Sequence, residues 1–475
     1  MIDRVTIQSG RYHDSVRLMQ ASRTLRNTNG VEEALVAMGT ELNLALLEDI
    51  GFDPQAFVAA GPNDLIVAVR AVDEETVDSL EQVLADALAA RATAGGEDDL
   101  PPAHVIETAA AAVGANLALI SVPGRYAFVE AMAAVRAGLH VMVFSDNVSI
   151  EQEVLLKTEA AGRGLLVMGP DCGTSIVGGV GLGFANAVQP GTVSLVGASG
   201  TGIQQLTCLL DDAGVGIRNA LGTGSRDLSE AVGASSTLRG LAALDADPGT
   251  EVIVVVSKPP APAVAVAVRE AAEACSKPVV VAFMEPGSTL EAAANAVLEK
   301  LGRPSASFTS WPIDDTEHRP GFLRGYYSGG TLRDEARFII EPITGPLSLT
   351  ETDDGPWLVD YGDDDYTEGR AHPMIDQTVR LERLESAVDD HSVGVVLLDV
   401  VLGYGANPDP ARELAPVISS LTGAGVAVVA NLCGSRSDPQ GLDSQANQLN
   451  EAGAAVFLSN AAAATMAAEL VGGAA

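Results

Sequence analysis

The sequence predicts a multidomain α/β protein built on parallel sheets, and three observations predict it. Short, apolar, β-branched runs alternate with helix-period stretches along nearly the whole chain, the order that parallel strands with crossover helices require. With 475 residues and 47% hydrophobic content, the chain is too long for one core and fills roughly three or four. Three times a strand runs into a glycine-rich turn placed to open a helix: Thr192–Val196 into Gly197–Gly202, Arg324–Tyr327 into Ser328–Leu332, and Val395–Leu402 into Gly403–Asn407.

The first domain, residues 1–95, alternates strands Val5–Ile7, Glu33–Met38 and Leu65–Ala71 with helices over His13–Arg26, Glu41–Asp49 and Asp73–Ala92. Gly95-Gly96 and Pro101-Pro102 mark Ala92–Pro102 as a linker. Residues 103–187 resume with strands Leu117–Val122, Val141–Phe144 and Leu165–Met168 around helices Tyr126–Ala137 and Ile150–Ala161. Residues 188–305 carry strands Val193–Val196, Ile217–Ala220, Val252–Val256 and Val279–Ala282. From Ser305 to Pro320 the periodicity lapses, around Trp311-Pro312 and Arg319-Pro320, which marks a crossing between domains. Residues 321–475 carry strands Gly325–Tyr327, Trp357–Asp360, Val395–Val400, Val426–Ala430 and Ala455–Leu458, and the alanine-rich Ala461–Ala475 reads as a packing helix. The recurrence of strand, glycine turn and helix in the second half predicts two related flavodoxin-like lobes behind a Rossmann-like one.

Composition excludes several functions. A net charge of −35 opposes binding to nucleic acid or to an anionic membrane, since both require a basic face. No apolar run approaches the ~20 residues of a membrane span, and Met1-Ile2-Asp3-Arg4 does not open a signal peptide, so a cytoplasmic protein is expected. The four cysteines lie far apart without a C-x-x-C, so neither a disulfide framework nor a zinc site is indicated. Only four lysines occur, at 157, 258, 277 and 300. In so acidic a chain, a lysine at the end of a buried strand stands out.

The glycine turns are the main candidates for chemistry. Glycine lets the backbone turn sharply and gathers bare N–H groups at the positive end of a helix dipole, where an anion is stabilised. Ser199, Gly200, Thr201 and Gly202 therefore form the first candidate phosphate or carboxylate socket, Gly329, Gly330 and Thr331 the second, and Gly403, Tyr404 and Gly405 the third. The alternative for each is a tight turn kept for packing, and Ser199–Thr201 is the strongest of the three signals. Arg226 could fork onto a substrate carboxylate or pair with Asp227 at a helix start. Arg436 follows strand Val426–Ala430 on the strand-end edge where such sheets place ligands. Asp363-Asp364-Asp365 reads as a solvated acidic loop before a metal site, Cys172 as packing, and His372 either as a proton-transfer group or as a hydrogen-bonded turn residue. No Ser-His-Asp or Cys-His arrangement and no resident metal is read from the sequence.

The order of parts resembles succinyl-CoA synthetase. Gly169-Pro170-Asp171-Cys172-Gly173 followed by Gly197–Gly202 is similar to that enzyme's α subunit, where a Gly-Pro-Asn-Cys turn closes the CoA-binding lobe and a Ser-Gly-Thr turn opens a phosphate-facing helix. Residues 321–475 resemble the C-terminal ligase domain of its β subunit. The FdrA family joins both lobes in one polypeptide. Met168–Ser175, Ser257-Lys258-Pro259-Pro260, Ser328–Leu332 and His372–Asp376 identify the chain as a member of it. The resemblance implies the synthetase-type fold and two activities: an acyl-CoA synthetase, or one of three subunits of an oxamate carbamoyltransferase in allantoin breakdown. The latter converts oxalurate and phosphate to oxamate and carbamoyl phosphate, with two further protein subunits as partners.

Departures from the synthetase weigh between these. The synthetase carries its phosphoryl group on a histidine, in a Gly-His-Ala-Gly loop after the strand that corresponds to Lys277–Phe283. Here that loop reads Met284-Glu285-Pro286-Gly287-Ser288-Thr289-Leu290, without histidine. The glutamate that orients that histidine is replaced by Lys258. A carboxylate suits an imidazole acquiring charge, whereas an ammonium suits an anion held directly. Residues 1–100 show no ATP-grasp signature and no G-x-x-x-x-G-K-[ST]. No clear G-x-x-G-x-x-G loop opens the CoA-type lobe, so CoA is left open and no cofactor is assigned. The expected function is a carbamoyltransferase subunit with Lys258, Arg226 and Arg436 neutralising charge around phosphate or carbamoyl phosphate. An acyl-CoA ligase and a non-catalytic scaffold are the alternatives.

Overall fold

A computed structural model describes residues 1–9, 13, 15–89, 105–313, 317–367 and 370–472. The linker Ala92–Pro102 expected from sequence lies outside them. The described residues fall into two compact units, the N-terminal domain, to which residues 367 and 370–371 also belong, and a body of residues 105–366 and 372–472.

In the N-terminal unit the elements run β1 (Ile2–Gln8), α1 (Ser15–Arg26), β2 (Val31–Met38), α2 (Glu41–Asp49), β3 (Leu65–Ala71) and α3 (Glu74–Ala89). The parallel sheet expected here is not formed. β3 lies between β1 and β2 and is antiparallel to both. Alternation of strands and helices cannot distinguish a crossover to a neighbouring strand from one that leaves a gap for a later strand, and here β1-α1-β2 leaves the gap. β3 is buried on both faces. Leu65, Val67 and Val69 meet Leu18 and Leu25 of α1 and Leu80 of α3, while Ile66 and Ala68 meet Leu47, Phe52 and Phe57.

The larger unit opens with α4 (Ile106–Val113) and a three-stranded parallel sheet: β4 (Leu117–Ile120), α5 (Gly124–Arg136), β5 (His140–Val143), α6 (Ile150–Gly162) and β6 (Val167–Met168). A hairpin of β7 (Thr174–Val177) and β8 (Val180–Gly183) follows. Then come β9 (Pro190–Ala198), α7 (Gly200–Asp212), β10 (Ile217–Gly222), α8 (Ser235–Ala246), β11 (Val252–Ser257), α9 (Pro262–Glu273), β12 (Val279–Phe283) and α10 (Leu290–Lys300). The sheet order is β12-β11-β9-β10-β7-β8, parallel through β10 and antiparallel at the hairpin. This hairpin, not foreseen from sequence, carries the first lobe's sheet back across the expected boundary at 187/188.

The second lobe runs β13 (Ser310–Trp311), β14 (Phe322–Tyr327), α11 (Gly330–Thr344), β15 (Trp357–Asp360), α12 (Asp364–Thr367), α13 (Thr378–Val388), β16 (Val393–Val401), α14 (Pro410–Gly423), β17 (Ala427–Cys433), α15 (Leu442–Glu451), β18 (Ala454–Phe457) and α16 (Asn460–Gly472). Its order is β13-β18-β17-β16-β14-β15, parallel except at β13. All nine residues of β16 are buried, as the unbroken apolar run requires of a central strand covered on both faces. The alanines of α16 lie against the core at Ala463, Ala464, Ala467 and Ala468, where small side chains let it approach closely. One apolar core runs continuously through both lobes.

Candidate functional site

With the parallel strands numbered from β9 in the first lobe and from β14 in the second, the orders read 2-1-3-4 and 2-1-3-4-5. In such a sheet the strand order reverses between strands 1 and 3, and the crevice beyond their carboxyl ends receives ligands. In the first lobe those strands are β9, which ends before Ser199, and β11, which ends before Lys258. In the second they are β14, which ends before Ser328-Gly329, and β16, which carries Asp399.

The two crevices face each other. Ser199 caps α7, its Oγ accepting from the Gly202 N–H at 2.9 Å. The same Oγ lies 2.6 Å from the Thr331 Oγ1 in the first turn of α11. Gly329 precedes α11 and supplies no side-chain cap, which leaves the dipole end of that helix open. Glycine is required there by close approach rather than by turn geometry. A β-carbon on Gly329 would lie 2.7 Å from Thr201 Oγ1. One on Gly330 would lie 2.6 Å from Asp360 Oδ2 and 2.9 Å from Lys258 Nζ. Lys258 thus reaches across from the first lobe to the start of α11, and among the described residues it forms no ion pair. Gly200 rests against the β7 hairpin, where its β-carbon would lie 3.5 Å from Thr174 Oγ1.

Acidic groups stand behind this cradle. Asp360 ends β15, 6% exposed, with Oδ1 accepting from Gly362 N–H at 2.9 Å. Burial raises its pKa to about 6, against the opposing pull of Lys258 and Arg333. Asp399 is fully buried; its Oδ1 accepts from the Ser328 N–H and hydroxyl, each at 2.8 Å, and pairs with Arg380 at 3.1 Å. Burial raises the Asp399 carboxyl, an effect that Arg380 and Ser328 resist. His372 sits beside Asp360: a β-carbon on Gly362 would lie 2.6 Å from His372 Nε2 and 3.1 Å from Asp360 Oδ1. Its Nδ1 accepts from the Met374 N–H at 3.2 Å, which leaves the ring proton on Nε2. Burial lowers this imidazole to about 4, so it is neutral at pH 7.

Three expected residues or groups lie elsewhere. The Gly403-Tyr404-Gly405 turn does not open a helix, because α14 begins only at Pro410. Two of its N–H groups are already engaged, Gly403 with Gln440 Oε1 at 3.2 Å and Tyr404 with the Ala185 carbonyl at 2.8 Å. It is a packing turn on the loop after β8. Arg226 is held by Glu153 at 3.0 Å and the Val148 carbonyl at 2.7 Å, part of a buried network in which Lys157 bonds Glu153 and Asp227. Arg436 pairs with Asp212 at 2.7 Å on the surface. Neither arginine reaches the cradle. Cys172 is buried and bonds the Gly222 carbonyl at 3.3 Å, consistent with packing. The sequence reading missed Asp360, Asp399 and Arg380. The signal available for the first was its position, an acid closing an otherwise apolar strand.

Comparison with known proteins follows the same division of the chain. Residues 1–102 match the family described as AllF, heavy metal-associated domain. Residues 188–284 match the CoA binding domain and residues 326–470 the CoA-ligase family. The CoA-binding match thus falls on the first of the two lobes read from sequence as flavodoxin-like, rather than on the Rossmann-like 103–187. The uncharacterized protein YahF of Escherichia coli K12 is 35% identical, over 98% of each chain. The malate–CoA ligase α subunit of Methylorubrum extorquens is 26% identical over 38% of this chain and 62% of its own length. Among solved structures, the dinucleotide-forming acetyl-coenzyme A synthetase 1 of Ca. Korarchaeum cryptofilum, in complex with phosphate and ADP, is 16% identical over 79% of this chain and 86% of its own, with a TM-score of 0.33.

Proposed function

The chain belongs to the FdrA family, and from that premise we propose that it is a carbamoyltransferase subunit that passes a carbamoyl group between a ureido acid and phosphate. Two further protein subunits complete the enzyme in the cytoplasm. Among the described residues no helix is long and apolar enough to cross a membrane. One observation carries the reading: two helix N-termini and the Lys258 ammonium converge on one point, in a chain without histidine at 284–290. Ser199 and Thr331 exchange their mutual hydrogen bond for bonds to a phosphate oxygen, and the N–H groups of Gly330 and Thr331 face the same anion. Lys258 balances its charge. Each dipole end contributes ~0.3–1 kcal/mol at an exposed site and up to ~2 where partly buried. The tetrahedral species formed at the ureido carbonyl bears an oxyanion, which fixed N–H donors and a cation stabilise without a covalent intermediate.

The test is carbamoyl phosphate formation from oxalurate and phosphate, by the purified chain together with the proteins encoded beside it. In Lys258→Glu the affinity for phosphate drops by about 100-fold or more, as expected when an attractive charge becomes repulsive in a confined site. Wild-type phosphate binding in that variant removes the argument. The matches to the CoA-binding and CoA-ligase families favour a second reading, an acyl-CoA ligase, and CoA-dependent ATP turnover by the same preparation would establish it instead.

A further inference from the structure

Carbamoyl transfer to phosphate requires a proton to travel. The phosphate oxygen attacks the ureido carbonyl carbon and forms a C–O bond, while the C–N bond to the departing amide breaks. Its electron pair goes to nitrogen, which must gain the proton that phosphate gives up. Four carboxyl or imidazole groups border the cradle closely enough to be considered. Asp399 is fully buried, with Oδ1 held by Ser328 and Arg380. Glu335, on α11, is fully buried and engaged on both oxygens, by the Leu290 N–H at 2.6 Å and the Asn460 amide at 2.7 Å. His372 spends Nδ1 on the Met374 N–H and is pulled to about 4, too low to hold a second proton near neutrality. Asp360 is different. Its Oδ1 is fixed by Gly362, but its Oδ2 accepts no hydrogen bond among the described residues and lies against Gly330, beside Lys258 Nζ.

Resting on the carbamoyltransferase reading, we propose that Asp360 is the proton carrier of this site: Oδ2 takes the proton from the attacking phosphate and returns it to the departing nitrogen. The carboxylate ends the cycle as it began, so no outside acid or co-reactant is needed. Geometry selects it, because the same oxygen borders both the N-terminal turn of α11, where the phosphate sits, and Lys258. Its protonation answers to the groups around it: Lys258 beyond β11, Arg333 on α11, Asp399 on β16, Arg380 on α13 and the neutral His372. With burial holding its pKa near 6, both protonation states are populated in the neutral range, the condition for an efficient shuttle.

Asp360→Asn tests this in the chain assayed with the proteins encoded beside it. The variant keeps size and the Gly362 contact, so kcat for carbamoyl transfer falls about 100-fold or more while KM for phosphate stays within about threefold. A ureido substrate whose departing nitrogen is a weak base, such as a nitroanilide, recovers most of the loss, since it leaves without a proton. Asp360→Glu keeps part of the activity and moves the acidic limb of the pH profile. Unchanged kcat in Asp360→Asn, or equal loss with both leaving groups, overturns the assignment while leaving the function intact. Absence of turnover in the wild-type preparation overturns the carbamoyltransferase reading and this inference with it.

Discussion

The two lobes share one strand order and one position for the helix start, yet they treat their switch points oppositely. In the first, the helix is capped by a side chain, Ser199, and the neighbouring strand leads into a cation, Lys258, that forms no ion pair among the described residues. In the second, the helix has no side-chain cap, and the neighbouring strand buries an anion, Asp399, already neutralised by Arg380. Each lobe lacks what the other supplies. The uncapped dipole end of α11 meets the ammonium from the first lobe, so the two come together only where the lobes face each other. Topology alone would make the two crevices equivalent. Side chains make one a donor of charge and the other a receiver.

The largest effect is expected where the asymmetry is buried most deeply. Arg380→Ala leaves the Asp399 carboxylate in the core without its cation, and unfolding free energy falls by about 3–5 kcal/mol. Lys258→Ala, after the corresponding strand of the first lobe, removes a partly exposed charge that forms no ion pair among the described residues, and stays within about 0.5 kcal/mol. Denaturant unfolding of the two variants measures the contrast, and equal losses would show that Lys258 is structural after all.

A smaller difference is expected in the response to pH. In the second lobe, burial raises Glu335 from 4.5 to about 7, so its contribution to stability is full below pH 4.5 and is lost as pH rises through 7. The whole loss is about 3 kcal/mol, and Asp360 adds in the same direction on the way to pH 6. In the first lobe, Arg218 holds Asp247 below the usual carboxylate range, so its contribution is present above pH 3.8 and is lost only toward strong acid. His372 also opposes the second lobe's trend, since its neutral form is favoured and stability is lost as pH falls from 6.5 through 4. Unfolding measured from pH 5 to pH 8 should show declining stability, with a shallower slope in Glu335→Gln. A flat profile in the wild type would contradict the burial argument.

Legibility from sequence followed the period of the chain. The second-half lobes were readable because their strands are buried on both faces and so appear as unbroken runs such as Val395–Val400. The order of those strands was not, since hydrogen-bond partners leave no periodic trace. The same limit hid the antiparallel N-terminal sheet. At the site, Ser199–Gly202 and Gly329–Thr331 open helices in backbone geometry that glycine announces locally. Gly403–Gly405 announces the same thing but turns its N–H groups onto Gln440 and Ala185, partners distant in sequence. Arg226 and Arg436 were misread for the same reason: a guanidinium looks free until Glu153 and Asp212 are placed beside it. Asp360 escaped notice among 63 acidic residues because its one local mark, closing an otherwise apolar strand, says nothing of the residues that fold beside it.

The smallest effect tests where the lobes touch. The Ser199 and Thr331 hydroxyls share a 2.6 Å hydrogen bond across the cradle, whose worth in stability is about 1 kcal/mol. Ser199→Ala removes this bond and the α7 cap together, for a combined loss of about 1–2 kcal/mol. Thr331→Val removes only the bond. A double-mutant cycle over the two positions isolates the coupling from the cap, because the cap cancels between the two legs that contain Ser199→Ala. Without phosphate the coupling should be close to the value of the bond. With phosphate at saturation it should shrink, since each hydroxyl then donates to the anion rather than to its partner, and each single variant should weaken phosphate binding severalfold. A coupling that does not change with phosphate would mean that the hydroxyl pair is a clasp between lobes and that the anion rests elsewhere.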